Sequence, residues 1–399
     1  MLESVQYGAR DRGLHAARSR VTLQAPLSLY IHVPFCRSRC HYCHFDIKVV
    51  AVRRNTKPSL HKEWFENYTK AVQQELIFYR QQVGDRPLQS VYFGGGTPSF
   101  LPLELLCSIL DCVARHFRLD EDCEISVEAN PEDVSETWVA GLRGKGVTRL
   151  SLGVQSTQAE TLKAVRRNHT PEMVFRALEQ IGGLKHGCSV DYILGLPFQE
   201  RKQVERDLAM ITACEPQHLS LYLLERDIPT PLDRYPGAMP TEDQQAEWFE
   251  AATTLLKSCG YKHYEISNFC QSGCESVHNS NYWKFGDYLG VGPAAHGRLG
   301  KTYWSNHTQL ARYLESVHDK GTGECQRETW SDGEFRRQKC LQGLRLLSGI
   351  PLSWVTQQEK EALEELADYA LVSLADGKVK LTERGILLAN EVFQVFISS

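Results

Sequence analysis

Between residues 27 and 224 the chain repeats one pattern six times: a short β-type run, then a stretch of helical periodicity. The β-type runs fall at 27–33, 90–93, 124–128, 149–154, 189–194 and 218–224. Helical spacing follows over 60–82, 102–117, 135–145, 158–167 with 171–184, and a stretch ending near 213. In the first of these Leu60, Trp64, Phe65, Tyr68, Val72 and Leu76 share one face. Strands that alternate with helices make a parallel sheet, because parallel neighbours need a long crossover and a helix supplies it. Periodicity does not choose between a doubly wound sheet and a curved, partly closed barrel. In either, ligands bind at the carboxyl ends of the strands.

Those strand ends collect chemistry. The loop after the first run carries Cys36, Cys40 and Cys43 in the spacing C-x3-C-x2-C. Three thiolates suit three irons of a 4Fe–4S cube and leave the fourth iron open to a small molecule. With His41 or His44 the same thiols would instead form a Cys3His zinc site. The second run ends in Gly94-Gly95-Gly96-Thr97-Pro98, where missing Cβ atoms let a ligand lie against the backbone. No Gly-Lys-Ser/Thr follows, so this is not a Walker loop. Glu128, Gln155 and Asp191 close the next three runs. Carboxylates suit an amino group or ribose hydroxyls, an amide offers donor and acceptor, and Arg167 suits a carboxylate. Together they describe a pocket for an amino acid joined to a nucleoside, which favours an open iron over a closed zinc.

Composition narrows the class. The 399 residues are 42% hydrophobic and 24% charged, ordinary for a globular protein. A net charge of −4 gives no electrostatic case for nucleic-acid binding. No signal peptide and no apolar run of membrane-spanning length is evident. The 13 cysteines are scattered and odd in number, which reads as reduced thiols; Cys107, Cys112 and Cys188 read as small core residues. The compartment expected is the cytoplasm, or the mitochondrion in a eukaryote. Residues 1–26 carry Arg10, Arg12, Arg18 and Arg20 against Glu3 and Asp11 and read as a mobile arm.

Beyond residue 225 the pattern changes. A loop with Pro229, Pro231, Pro236 and Pro240 leads to a helix at 241–259 that closes a core spanning 27–260. Residues 261–306 read as a connecting segment rich in Gly, Asn, His and aromatics. It holds His278-Asn279-Ser280-Asn281-Tyr282-Trp283, with Cys270, Cys274 and His278 four apart and His296 further on. Imidazole is an axial ligand of haem iron, so the segment reads either as a second ligand site or as a loop whose two aromatics dock on the core. Residues 307–399 read as a mostly helical domain closing in a hairpin around Asp376-Gly377 and a helix at 383–395, a winged-helix-like arrangement.

Taken together, YIHVPFC with CxxxCxxC, FGGGTPS, EANP, LGVQS, DYILGLP, YEISNF, HNSNYW and LTERGILLANEVF resemble the radical S-adenosylmethionine (SAM) superfamily. Within it the chain is similar to the coproporphyrinogen-dehydrogenase-like branch and its HemW haem chaperones. The resemblance implies a six-unit partial (β/α) TIM-like barrel with the winged-helix-like C-terminal domain. It implies a 4Fe–4S cluster on Cys36, Cys40 and Cys43, and SAM contacts from Tyr30, Gly95, Gly96, Thr97, Glu128, Gln155, Arg167 and Asp191. His278, in the HNxxYW motif, is implied as the haem ligand. The implied partners are haem and a recipient haemoprotein such as a respiratory membrane enzyme, with peripheral membrane association and a homodimer both compatible. The alternative is an oxygen-independent coproporphyrinogen III dehydrogenase that makes a 5′-deoxyadenosyl radical. Those enzymes carry a fourth cysteine where this chain has Phe45, and a longer N-terminal extension; both differences favour the chaperone. His44 and Phe198 also depart from the usual pattern, Phe198 standing where glycine is usual.

Overall fold

The computed structural model describes residues 25–50 and 58–397. The expected N-terminal arm therefore lies outside the described residues, except for its last two positions.

The six expected strands form as β1 (Leu27–Val33), β2 (Leu88–Gly95), β3 (Leu119–Ala129), β4 (Arg149–Gln155), β5 (Gly187–Leu194) and β6 (His218–Leu223). They pair in parallel and in chain order. The crossovers are helices α1 (Pro58–Val83), α2 (Leu103–His116), α3 (Glu136–Arg143), α4 (Ala159–Ala164), α5 (Pro171–Gln180) and α6 (Arg201–Thr212), and α7 (Glu242–Ser258) follows. Period-2 patterning gives the sheet two unlike faces. On β1, Leu27, Leu29, Ile31 and Val33 are buried in the apolar core, while Ser28, Tyr30 and His32 alternate with them on the inner face. Cross-strand partners repeat this: Ser28 lies beside Ser90, Tyr30 beside Tyr92, and Glu128 beside Ser151. The interior of the curved sheet is thus lined with polar and aromatic side chains, and the hydrophobic core lies outside it, under the helices.

Two expectations about boundaries are corrected. Residues 261–306 do not merely connect. They add β7 (Lys262–His263) and β8 (Asn268–Cys270) beyond β6, and β9 (Tyr288–Val291), β10 (His296–Leu299) and β11 (Thr302–Asn306) beyond β1. With β12 (Glu324–Thr329) the sheet reads β12-β11-β10-β9-β1-β2-β3-β4-β5-β6-β8-β7. Strand β9 pairs with β1 in parallel, a seventh parallel strand that its short Gly-containing run concealed. The chain reaches one sheet edge from the other by crossing the open side of the barrel through α8 (Val277–Trp283).

The second correction concerns residue 307. Helix α9 (Leu310–Lys320) packs on α1, and β12 continues the sheet, so the small C-terminal unit begins only at α10 (Asp332–Gly343). Buried Glu75 of α1 shows why: its carboxylate accepts from the backbone N–H of Gly292 and Gly323, from Tyr313 and from Asn306, at 2.7–2.9 Å. The unit that follows has α11 (Gln357–Asp368) and a three-stranded sheet of β13 (Ile350–Pro351), β14 (Val372–Ala375) and β15 (Lys378–Leu381). It ends in α12 (Glu383–Leu387) and α13 (Ala389–Ile397), where one helix was expected. Helix–strand–helix–hairpin is the winged-helix-like order anticipated.

Candidate functional site

A cavity of about 440 Å³ opens at the carboxyl ends of the parallel strands. Ten of the eleven residues expected there line it: the three cysteines, Gly95, Gly96, Thr97, Glu128, Gln155, Arg167 and Asp191. Tyr30 is the exception. It stands one layer deeper, its hydroxyl 3.1 Å from His32 Nδ1 and its ring stacked over Tyr92 at 6.3 Å.

The cysteine loop is held on three sides. Phe35–Cys36 pairs with Lys48–Val49, Arg39 Nη1 donates to the carbonyls of Cys43 and Phe45 at 3.1 Å, and His41 Nδ1 lies 3.0 Å from the Ala164 carbonyl. Cys36 Sγ is 3.2 Å from Thr97 Oγ1. Burial pushes the Cys36 thiol up to about 12 and raises that of Cys43. Iron binding has to displace those protons, and the charge of half-buried Arg167, which acts to lower both thiols, helps; its Nη1 lies 3.8 Å from Cys40 Sγ. Phe45, at the place of the absent fourth cysteine, is half exposed at the pocket rim.

The glycine run has a second reason to be glycine. A Cβ on Gly95 (φ +106°) would meet the His32 ring at 2.3–2.7 Å, and one on Gly96 would meet the Val33–Phe35 backbone at 2.7–2.9 Å. Packing of the cysteine loop onto β2 therefore demands these glycines, beyond any ligand.

The acids and amide are poised for a donor-rich ligand. Glu128 accepts from Tyr92 Oη at 2.9 Å and the Gly95 N–H at 3.2 Å; Asp191 accepts from Ser151 at 3.1 Å. Burial, then mutual repulsion, raises Glu128 to about 7; burial raises Asp191 to about 6. Gln155 sits at an irregularity in β4 with φ +65°, a conformation unfavourable for a side-chain-bearing residue, and its Oε1 is buried without a partner. Arg167 is clamped by the Gly153 carbonyl and by Asn130 Oδ1 (2.7 Å), while its Nε is buried without a partner. An unpartnered acceptor and donor in one cavity are what a zwitterionic ligand would satisfy. The donor set fits a 4Fe–4S cluster with SAM beside it.

Sequence reasoning missed Tyr42, Asn130 and Tyr92. Asn130 stands within Glu-Ala-Asn-Pro and Tyr42 between two cysteines, so proximity to the motifs was the available signal.

His278 is not in this cavity. It is 1% exposed at the opposite, lower end of the barrel. Its ring stacks on Tyr92 at 5.0 Å, and its nitrogens lie 2.9 Å from Ser90 Oγ and 2.9 Å from Tyr282 Oη. Because Ser90 spends its proton on Ser28 (2.7 Å), Nδ1 of His278 must donate to Ser90, and Nε2 accepts from Tyr282. Burial lowers His278 to about 3 and keeps it neutral. Beneath it, Glu124 accepts from the backbone N–H groups of Val277 and His278 (3.2 and 3.1 Å) and from Arg149 Nε (3.1 Å). This pair, buried at 0% and 2%, fastens the start of α8 into the barrel floor.

The pocket and the comparisons agree on the class. Residues 30–211, the parallel strands β1–β5 with their crossovers, match the radical SAM superfamily model. Coproporphyrinogen III oxidase HemN from Escherichia coli superposes with a TM-score of 0.81 at 23% identity, over 93% of this chain and 90% of that one. The fold is therefore that of a radical SAM protein, with the superfamily's 4Fe–4S cluster and SAM as its cofactors. The heme chaperone HemW of Bacillus subtilis is 31% identical over 384 residues, 93% of this chain and 99% of that protein. HemW of Escherichia coli is 31% identical over 94% of this chain and 98% of that protein. The mitochondrial radical S-adenosyl methionine domain-containing protein 1 of Bos taurus is 33% identical over 90% and 81%. The chain belongs to the HemW family.

Proposed function

We propose that the protein is a haem chaperone, binding haem through His278 and passing it to a recipient haemoprotein. The observation that carries this reading is the tautomer of His278. Its lone pair resides on Nε2, a nitrogen through which imidazole ligates iron, and Tyr282 of the same motif covers it. Haem ligation then requires the Tyr282 hydroxyl to leave Nε2 and α8 to shift from the barrel floor. The neutral state imposed by burial leaves no proton to remove from that nitrogen.

Cys36, Cys40 and Cys43 would hold the cluster, which when bound supplies an open iron for the amino and carboxylate groups of SAM and one-electron reduction. Thr97 Oγ1 lies beside the Cys36 sulfur, and the Arg167 guanidinium lies beside Cys40. Glu128 and Asp191 accept from the ligand's amino or ribose donors, Gln155 offers its free acceptor, and the backbone of Gly95 and Gly96 shapes the wall. Tyr30 supports from below. Phe45 leaves the cluster loop without the extra thiol of the decarboxylating enzymes, which favours the chaperone.

Among the described residues no helix is long and apolar enough to cross a membrane. A respiratory membrane enzyme as recipient would be met peripherally, in the cytoplasm or, in a eukaryote, the mitochondrion; a homodimer is compatible with this reading.

The test reconstitutes the cluster anaerobically and titrates haem by its Soret band. Wild type binds saturably, and His278→Ala shifts the spectrum and weakens binding. Identical spectra and affinities remove His278 as ligand, and no saturable binding removes the chaperone reading.

A further inference from the structure

One buried side chain touches two parts of the upper pocket at once. Strand β1, which leads into the cysteine loop, carries His32 on its inner face, 6% exposed. Its ring fills the space beside Gly95, where a Cβ would come within 2.3–2.7 Å of three ring atoms. Its Nε2 lies 3.3 Å from the backbone carbonyl of Asp46, at the exit of the loop that carries the thiols. The imidazole therefore stands between the glycine wall of the cavity and the cluster loop.

Both ring and backbone of His32 are fixed. A carbonyl can only accept, so Nε2 carries the proton, and Nδ1 accepts from the Tyr30 hydroxyl at 3.1 Å. Burial lowers the ring to about 4 and keeps it neutral. One tautomer thus satisfies both nitrogens and sets the ring plane. The His32 carbonyl accepts from Tyr68 Oη of α1 at 2.8 Å. Gly292, just after β9, packs so closely that a Cβ there would lie 2.5 Å from the same oxygen. Helix α1 and the sheet beyond β1 hold the imidazole in place.

What the ring sets is a spacing. The glycine wall is tied to the loop entrance by the Gly96 N–H, which donates to the Val33 carbonyl at 2.8 Å, and by the Thr97 N–H, which donates to the Phe35 carbonyl at 2.9 Å. The Gly95 N–H donates to Glu128 at 3.2 Å. Asp46, His32, Gly95 and Glu128 thus form a chain of direct contacts from the cluster loop to an acid that faces the ligand.

We propose that His32 is a positioning residue for the two cofactors. Its imidazole sets the distance between the cluster loop and the Gly95–Glu128 wall, so that SAM meets the wall and the open iron together. Tyr30, one layer deeper, acts on the pocket through this ring. The inference rests on the cofactors of the superfamily and is independent of the haem reading.

The experiment uses the full chain with its cluster reconstituted anaerobically. SAM is titrated, and the EPR spectrum of the dithionite-reduced cluster is recorded with and without it. His32→Ala keeps the cluster, because all three cysteines remain. It weakens SAM about tenfold, the equivalent of one charge-assisted hydrogen bond, and diminishes the spectral change that SAM causes. His32→Gln, whose amide restores a donor to Asp46, recovers most of both. Leu29→Ala, a core truncation on the same strand, lowers the melting temperature and changes neither. Gly95→Ala separates direct contact from general loosening. It weakens SAM more in wild type than in the His32→Ala background, where no ring opposes the methyl group. Wild-type SAM affinity and spectra in His32→Ala, or equal effects of Gly95→Ala in both backgrounds, overturn the proposal. If His32→Ala does not fold, His32→Gln carries the same cycle, since its narrower side chain also makes room for the methyl. If SAM causes no spectral change in wild type, the cofactor reading falls with it.

Discussion

The mouth and the floor of the barrel are built from the same six strands and differ in how far their polar groups are engaged. At the mouth, Gln155 Oε1 and Arg167 Nε lack partners, two acids crowd each other, and β4 adopts a strained conformation. At the floor, His278 and the Glu124 carboxylate are fully engaged and Ser90 is fixed between Ser28 and His278, although Arg149 Nη1 is left without a partner. Unsatisfied buried groups cost free energy, so the mouth is a site held ready for a ligand. The floor is a site held shut. A small molecule entering the mouth meets groups already in place, whereas anything reaching His278 must first break hydrogen bonds.

Perturbations that separate the ends run from large to small. Cys40→Ser at the mouth removes a cluster ligand and should abolish the cluster's visible absorption while leaving the fold and the floor intact, seen as unchanged thermal melting of the apoprotein. Glu124→Ala at the floor should do the reverse. It strands Arg149 and frees the start of α8, costing roughly 3–5 kcal/mol in urea unfolding. A loss below 1 kcal/mol would show that the floor is not held there.

The pH dependence of stability should split the same way. Glu128 has its folded value raised to about 7 from 4.5, so the native state holds the proton more tightly. Its contribution is most favourable below pH 4.5 and declines as pH rises to 7. Glu128→Gln should match wild type near pH 4 and exceed it at pH 8 by roughly 3 kcal/mol in urea unfolding of the apoprotein. His278 is lowered to about 3, so its contribution is intact above pH 6.5 and lost as pH falls; His278→Gln should flatten that acid-side loss. Parallel profiles for both variants would erase the distinction.

Tyr282→Phe is smaller. Removing the hydroxyl leaves Nε2 buried and unpaired, costing about 1–2 kcal/mol, and should tighten haem binding by uncovering the ligand; weaker binding with unchanged stability would contradict the closed-floor view. Smallest of all is Phe198→Gly. Phe198 sits at φ +64° and is half exposed, its ring meeting Tyr235 edge-on, so glycine should gain up to about 1 kcal/mol in thermal unfolding without touching haem binding.

The mouth was readable in the sequence because its residues come singly from consecutive strand ends, and strand ends are marked by hydrophobic periodicity. Cys36, Gly95, Glu128, Gln155 and Asp191 needed no knowledge of the sheet's curvature to be grouped. The floor needed it. Glu124 lies within β3 and Arg149 opens β4, and their partners on and just before α8 lie more than 120 residues away, so no local pattern connects them. Strand β9 was hidden for a related reason: four residues, Tyr288–Val291, carry too little alternation to be read before the sheet edge that receives them is known. Phe198 shows the converse, a departure visible in the sequence whose left-handed backbone appears only in the structure.

The crossing through α8 ties the two margins of an open sheet together, as a brace ties the ends of a bow. Sheet curvature sets how far the cysteine loop on β1 stands from Gln155 and Asp191 on β4 and β5. On the function proposed above, a release of α8 that presents His278 is therefore also a change at the span joining the two margins of the sheet whose strand ends carry the upper pocket.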